Sequence, residues 1–269
     1  MTHGKLELLR QRLSQMESIL VAYSGGVDST FLLKVAHEVL GRRAMGVLVS
    51  SPLIPGYEQE EALEIARALG LPVDVIAADA FDDTRVLENS PERCYFCKAN
   101  ICRLLKAYAH DHGLGTVVDG TNADDREDYR PGQRAARECG MQSPLLEVGL
   151  TKAEIRSLAR QMGLPNWDKP SAACLASRVP YGTPITPEML TRIARAEQIL
   201  RDLGFQELRV RHHGQVARIE VPVEHFEQLL ERREEIVSGL KAAGYAYVTL
   251  DLLGFRSGSM NEVIAANGP

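Results

Sequence analysis

The stretch Val21-Ala22-Tyr23-Ser24-Gly25-Gly26-Val27-Asp28-Ser29-Thr30 decides the fold. It continues the apolar, β-branched run Ile19-Leu20-Val21, which predicts a buried strand, and it leads into 29–40, where apolar residues recur at helical spacing. The chain thus passes from strand to helix through two glycines flanked by hydroxyls and a carboxylate. Gly25 and Gly26 let backbone approach a ligand closely, and the free N–H groups and dipole of the following helix favour an anion. Ser24, Ser29 and Thr30 add hydroxyl donors. A phosphate fits such a turn.

Working outward, the same alternation continues on both sides. Helical spacing over 5–17 precedes the first strand, and strands over 46–49, 73–76 and 116–119 alternate with helices over 58–69, 97–110 and 151–162. This order predicts an α/β fold, a Rossmann-like parallel sheet with right-handed crossovers and helices on both faces. Ligands of such sheets bind at the carboxyl ends of the strands, where the glycine turn sits. Pro165, Pro170, Pro180 and Pro184 with Gly182 then mark an ordered linker. Beyond it the order becomes helix 187–203, strands 208–212 and 217–221, helix 223–243 and strand 247–252. That predicts a smaller α+β C-terminal domain, so the expected division is 1–185 and 186–269.

Bulk properties narrow the function classes. The 269 residues carry 31 Lys and Arg against 36 Asp and Glu, a formal net charge of -5, which argues against a broadly basic nucleic-acid or membrane face. The longest apolar runs fall far short of the roughly 20 residues needed to span a bilayer. A cytoplasmic protein is therefore expected, and five cysteines in a reducing compartment favour reactive, metal-binding or buried thiols over disulfides.

Arg93-Cys94-Tyr95-Phe96-Cys97-Lys98 sets two thiols three positions apart beside a cation, at the start of a predicted helix. A helix N-terminus and a neighbouring Lys or Arg both lower a thiol's pKa, and the thiolate is the form that ligates metal or attacks sulfur. Cys174, in Lys169-Pro170-Ser171-Ala172-Ala173-Cys174-Leu175-Ala176-Ser177-Arg178, lies in the linker, where a core role is less automatic. Cys102 and Cys139 fall in predicted helices and read as ordinary buried small residues. Arg209 and Arg211 alternate on a predicted strand, so both guanidinium groups are expected on one face, suited to phosphate or carboxylate. His212 and His213 adjoin and face opposite sides, a weak metal pair. Asp119 and Thr121 open a turn at the sheet's ligand edge, ahead of the charged run 125–130.

No Gly-Lys-Ser or Gly-Lys-Thr closes the glycine turn, so the cradle of a Walker A loop is missing. Ser24-Gly25-Gly26-Val27-Asp28-Ser29 instead resembles the PP-loop of the N-type ATP pyrophosphatases. Together with Cys94-Tyr95-Phe96-Cys97-Lys98, Asp119-Gly120-Thr121-Asn122, an expected strand at Ser143-Pro144-Leu145, the 171–180 segment and Arg209-Val210-Arg211-His212-His213-Gly214, it looks like the LarE family over nearly the whole chain. These are ATP-dependent sulfur transferases that help make the nickel-pincer nucleotide cofactor of lactate racemase.

The resemblance implies the following. ATP binds with its pyrophosphate on Ser24, Gly25, Gly26 and Ser29, and Asp28 places Mg²⁺. A carboxylate of pyridinium-3,5-dicarboxylate mononucleotide is adenylated, and sulfur then replaces the activated oxygen. Cys94, Cys97 and Cys174 match the three positions of members that carry a [4Fe-4S] cluster with an extra sulfide; other members sacrifice a cysteine. Lys98 neutralises phosphate or the acyl-adenylate, Arg209 and Arg211 hold the substrate's phosphate, Arg178 and Thr121 assist binding, and Glu197 matches a metal-site acid, though on an exposed helix it reads equally as a surface Glu. A sulfide donor and a homo-oligomer are the expected partners. A tRNA thiolase of the same superfamily needs a basic RNA-binding surface, which the composition lacks. A nucleotide sensor needs the turn but none of the thiols, Lys98 or paired arginines.

Overall fold

A computed structural model describes residues 2–127, 131–170 and 173–256. The end of the charged run (128–130), Ser171 and Ala172 of the linker motif, and 257–269 of the expected second domain lie outside the described residues. By contact the chain divides into two compact units, Met1–Asp83 with Glu92–Ala172, and Thr84–Pro91 with Ala173–Pro269.

In the first unit, α1 (Thr2–Ser14) leads to β1 (Ile19–Tyr23), α2 (Val27–Leu40), β2 (Ala44–Ser50), α3 (Gly56–Ala68) and β3 (Val73–Ala77). The short α4 (Thr84–Leu87) belongs to the second unit. The first resumes with α5 (Arg93–Asp111), β4 (Thr116–Val118), α6 (Pro131–Glu138), α7 (Pro144–Glu147) and α8 (Lys152–Gln161). The sheet is four-stranded, in the order β3-β2-β1-β4, and every pairing is parallel. β1 is a central strand with Ile19, Leu20 and Val21 sealed from solvent, which explains why it reads as an apolar run without alternation. On one face α1, α2 and α8 bury Leu9, Leu13, Phe31, Leu33 and Leu158 against it. On the other, α5, α6 and the segment after α6 bury Leu105, Ala136 and Met141 against Leu20, Val47 and Val117. After β3 the chain crosses β1 to place β4 on its far side, so the end of β1 lies where the strand order reverses, the place an open α/β sheet keeps for its ligand.

The second unit contains α9 (Pro187–Asp202), β5 (Arg209–His213), β6 (Val216–Glu220), α10 (Phe226–Glu231), α11 (Arg233–Ala242) and β7 (Tyr247–Leu250). β5 pairs antiparallel with β6, and β6 parallel with β7. Leu200, Phe205, Leu208, Val210, Ile219 and Leu240 form its core. Thr186 caps α9 by accepting from the Met189 N–H, with Pro187 at the first helical position, where its missing N–H costs nothing.

Three expectations are corrected. Ser143-Pro144-Leu145 is not a strand: Pro144 opens α7, and Gln142 alone makes an isolated bridge with Val118, since Pro144 brings no N–H to a ladder. The expected helix 223–243 is broken at Arg232 into a 3-10 turn (Val223–His225), α10 and α11. Cys102 and Cys139 are not separate thiols. They form a disulfide that joins α5 to the turn after α6, and Cys94, Cys97 and Cys174 take no part in it. The bond closes a 37-residue separation, which on a chain-entropy basis stabilises by roughly 4 kcal/mol. Alkylation of denatured, unreduced protein is therefore expected to label Cys94, Cys97 and Cys174 and spare Cys102 and Cys139; mass spectrometry after proteolysis reads this directly, and labelling at all five positions contradicts it.

Candidate active site

The turn after β1 is shaped by what surrounds it. Gly25 adopts φ 72°, and a Cβ there would lie 2.3 Å from the Ala62 Cβ of α3, so both the left-handed conformation and the space demand glycine. Gly26 caps α2 with no side-chain cap of its own. The Ser29 hydroxyl accepts from the Ser24 N–H (3.2 Å), donates to the Gly26 carbonyl (3.1 Å) and lies 3.1 Å from the Ser24 hydroxyl. Ser24 is exposed while Ser29 and Thr30 are buried, so the turn presents Ser24 and the helix N-terminus outward. On its other side runs the turn after β4. A Cβ on Gly120 would stand 2.9 Å from the Ser29 backbone nitrogen, so Asp119-Gly120-Thr121 lies against the first turn of α2.

Asp28 sits in that first turn with Oδ1 buried and accepting no hydrogen bond among the described residues. Burial pushes its carboxyl above the ordinary range and the charge of Asp125 adds to this, against Lys152, Asn122 and Arg156, which act the other way. A buried carboxylate oxygen without a donor, within the field of a second carboxylate, is an arrangement that a divalent cation satisfies. Lys98 lies 3.7 Å from Asp119, whose other oxygen accepts from the Ser143 hydroxyl (2.8 Å) and the Thr121 N–H (3.2 Å). The structure thus brings Lys98, Asp119, Thr121, Asp28 and the glycine turn to one edge of the sheet. Cys94 (exposed) and Cys97 (half-buried) stand one turn apart at the N-terminus of α5, on the helix that also presents Lys98.

Two contributors escaped the sequence. A cavity of about 510 Å³ opens at the carboxyl ends of β2 and β3, lined by Ser50, Ser51, Ile54, Gln59, Asp79 and Phe81. Its volume suits a small ligand. Gln59 lies one helical turn from Ala62, so α3 borders both the cavity and Gly25. Asn166 is the other: its buried amide donates to the Gly25 carbonyl. Nothing in a proline-flanked segment far along the chain signals that contact.

In the second unit Cys174 is half-buried and opens a 3-10 turn, Leu175–Arg178. Arg178 folds that turn. Its guanidinium donates to the carbonyls of Ala173 (2.6 Å) and Cys174 (3.0 Å) and pairs with both oxygens of Glu197 (2.8 and 3.0 Å). Glu197 also accepts from the Val210 N–H and is 0% exposed, so of its two readings, metal-site acid or surface Glu on α9, the surface one is overturned. Arg211, also buried, donates to the Ser177 carbonyl (3.0 Å) and pairs with Glu220 (2.7 Å), while Arg209 lies over the Phe255 ring at 5.0 Å. His212 is buried against Tyr245, its pKa lowered by burial and by Arg192 and His213, while His213 is exposed. Among the described residues no group of three or more His, Cys, Asp or Glu is gathered as metal ligands, and no helix is long and apolar enough to cross a membrane.

Comparison with known proteins agrees with this geometry. The NAD synthase family model matches residues 5–180. The pyridinium-3,5-bisthiocarboxylic acid mononucleotide synthase of Lactiplantibacillus plantarum is 38% identical over 94% of this chain and 92% of its own length. The chain belongs to the LarE family, within the NAD synthase fold family. An uncharacterized protein of Synechocystis sp. is 42% identical over 98% of this chain and 99% of its own, and the NH(3)-dependent NAD(+) synthetase of Pyrococcus horikoshii is 28% identical over 62% and 65%. LarE membership accounts for a glycine turn of the ATP pyrophosphatase kind.

Two outcomes follow from the buried charges. With the Asp28 pKa raised in the fold, the folded chain binds its proton more tightly than the unfolded chain, so this group's contribution falls as pH rises above the ordinary carboxylate range. Asp28→Asn is expected to raise Tm at neutral pH, with the gain shrinking toward acid; thermal melts across pH check the sign. Glu197→Ala strands Arg178 and is expected to cost about 3–5 kcal/mol in urea unfolding. Because Arg178 holds the Cys174 carbonyl, the same variant should show faster alkylation of Cys174 than wild type.

Proposed function

We propose that the protein is an ATP-dependent sulfur transferase that adenylates a carboxylate of pyridinium-3,5-dicarboxylate mononucleotide and replaces its oxygen with sulfur, giving the thiocarboxylate precursor of the nickel-pincer cofactor. The observation that carries this reading is the 38% identity to the bisthiocarboxylic acid mononucleotide synthase over 94% of the chain. The geometry at the end of β1 supports it. A carboxylate oxygen is a poor leaving group until it is joined to a phosphate. Attack of that oxygen on the α-phosphorus expels pyrophosphate, and sulfur then displaces AMP at the carbonyl carbon.

Each part of the first unit has a place in that sequence. The turn at Ser24, Gly25, Gly26 and Ser29 receives the pyrophosphate end of ATP on helix N–H groups and hydroxyls. Asp28, with its donorless buried oxygen, would hold Mg²⁺, which supplies charge neutralisation for the leaving pyrophosphate. Lys98 offers a cation next to Asp119 for the phosphates or the acyl-adenylate, and Thr121 frames the same edge. The cavity beside α3 has the capacity for the nucleoside portion.

For the sulfur source, Cys94, Cys97 and Cys174 stand outside the Cys102–Cys139 disulfide, and three soft thiolates are the donor set of an iron–sulfur cluster. These residues would hold a [4Fe-4S] cluster, which supplies an open iron site for an extra sulfide. The C-terminal region from about Thr186, with Arg209 and Arg211, is assigned to the mononucleotide and to assembly of a homo-oligomer, and an external sulfide donor reloads the protein. The rival route, sacrifice of Cys174, is favoured by one observation: Arg178 and Glu197 order the Cys174 turn within its own unit, so this thiol is positioned without help from Cys94 or Cys97.

The test is direct. ATP with the dicarboxylate mononucleotide should release pyrophosphate in the presence of Mg²⁺, and intact ATP binding without release points instead to a sensor. Anaerobic reconstitution should give a brown protein with bound iron and sulfide, bleached by Cys94→Ala or Cys97→Ala. A colourless protein whose Cys174 loses the mass of hydrogen sulfide after one turnover establishes the sacrificial route.

A further inference from the structure

Asn166 stands in the turn that follows α8, more than a hundred residues from the glycine turn, yet it reaches it. Its side chain is 4% exposed, and its Nδ2 uses both protons on the turn, one on the Gly25 carbonyl at 2.9 Å and one on the Thr30 hydroxyl oxygen at 3.0 Å. The amide orientation is dictated by its neighbour, because a backbone carbonyl can only accept. The other end of the amide, Oδ1, is buried with no donor among the described residues. That is a poor bargain for stability, since a buried carbonyl without a partner is disfavoured. The segment is held just beyond this contact, at Lys169. Lys169 pairs with Glu58 and Glu61 of α3 at 2.8 and 2.9 Å, and Arg156 of α8 donates to the Lys169 carbonyl at 3.1 Å.

The consequence lies in the peptide plane. The Gly25 carbonyl and the Gly26 N–H belong to one planar trans peptide and point in opposite directions. Gly25 has no side chain to limit that plane's rotation, and its φ of 72° places it where only glycine rests easily. Holding the carbonyl inward on a buried amide therefore turns the Gly26 N–H outward, where it makes only a long 3.4 Å contact with the exposed Ser24 hydroxyl. Were the plane to flip, a carbonyl oxygen would face the incoming phosphate and repel it.

We infer that Asn166 is the positioning residue of the glycine turn: it locks the Gly25–Gly26 peptide so that the Gly26 N–H is presented to the pyrophosphate end of the nucleotide. The inference rests on the ATP reading above and assigns that reading a residue outside the turn. Asn166 touches no reacting atom and acts through the backbone.

The experiment compares wild type, Asn166→Ala and Asn166→Asp, with Leu9→Ala, a truncation in the core between α1 and the sheet, as the control for lost stability. Inorganic pyrophosphate and AMP are titrated separately by calorimetry in the presence of Mg²⁺, and Tm is recorded for each protein. The expected result is a roughly tenfold weaker pyrophosphate affinity in both Asn166 variants, with AMP binding close to wild type, and a lowered Tm with unchanged pyrophosphate affinity in Leu9→Ala. Asn166→Asp keeps the shape without the amide donors, so it carries the test if the alanine variant does not fold. Pyrophosphate binding by folded Asn166 variants equal to wild type overturns the inference alone, as does a parallel loss of AMP and pyrophosphate, which indicates general distortion. Failure of wild type to bind pyrophosphate or ATP overturns the nucleotide reading, and this inference falls with it.

Discussion

The first unit is organised around a peptide that has no room for a side chain. Gly25 lies in the left-handed region directly over Ala62, and Gly120 brings the backbone after β4 against the backbone of Ser29. Either position with a Cβ would push apart the elements that enclose the first turn of α2. Because both are glycine, the chain ends β1, reverses and starts α2 within a few residues, and the helix N–H groups emerge at the switch point of the sheet with Asp28 among them. The stability of the sheet comes from the apolar faces on either side of β1. The geometry of the site comes from the closeness of three backbones, and the orphaned oxygen of Asp28 is retained against stability, as expected where a charged ligand is to be received.

The second unit uses a different device. Arg178 and Glu197 are almost completely removed from water, as are Arg211 and Glu220, and desolvating such pairs is costly unless their hydrogen bonds are well made. Here they are. Glu197 receives Arg178 and the Val210 N–H, and Arg178 and Arg211 between them hold the carbonyls of Ala173, Cys174 and Ser177. Hydrophobic residues of similar volume would pack there as well, but would not tie down three turn carbonyls around Cys174. These ion pairs specify where a thiol stands. Arg178 therefore reads as a residue that shapes the Cys174 turn, with its charge balanced inside the protein, and Glu197 as the anion that makes this possible.

Much was legible in local pattern. The strands and helices of the α/β portion follow from apolar runs and 3.6-residue spacing, and they lie within a few residues of expectation because each signal is carried by neighbours in sequence. Helix breaks were less visible: apolar spacing continues smoothly through 223–243, while the backbone changes course at Arg232. Ser143-Pro144-Leu145 misled because a short apolar run does not distinguish a strand from one turn of helix. Glu197 misled because a single acid on an amphipathic helix carries no mark of its partner, and Cys102 with Cys139 because a disulfide depends on distance in space.

What the amino-acid sequence determined by itself was the handover at Ser24–Ser29 and the kind of chemistry it serves, since glycine, hydroxyl and acid at a strand-to-helix junction have few physical uses. The tertiary structure alone decided which distant residues complete it: Ala62 beneath Gly25, Asp119 beside Lys98, Glu197 behind Arg178, and Asn166 on the Gly25 carbonyl. Each is a contact across long sequence separation, made only after helices have packed on the sheet, and packing depends on the summed burial of whole faces. No single position in the sequence encodes that sum.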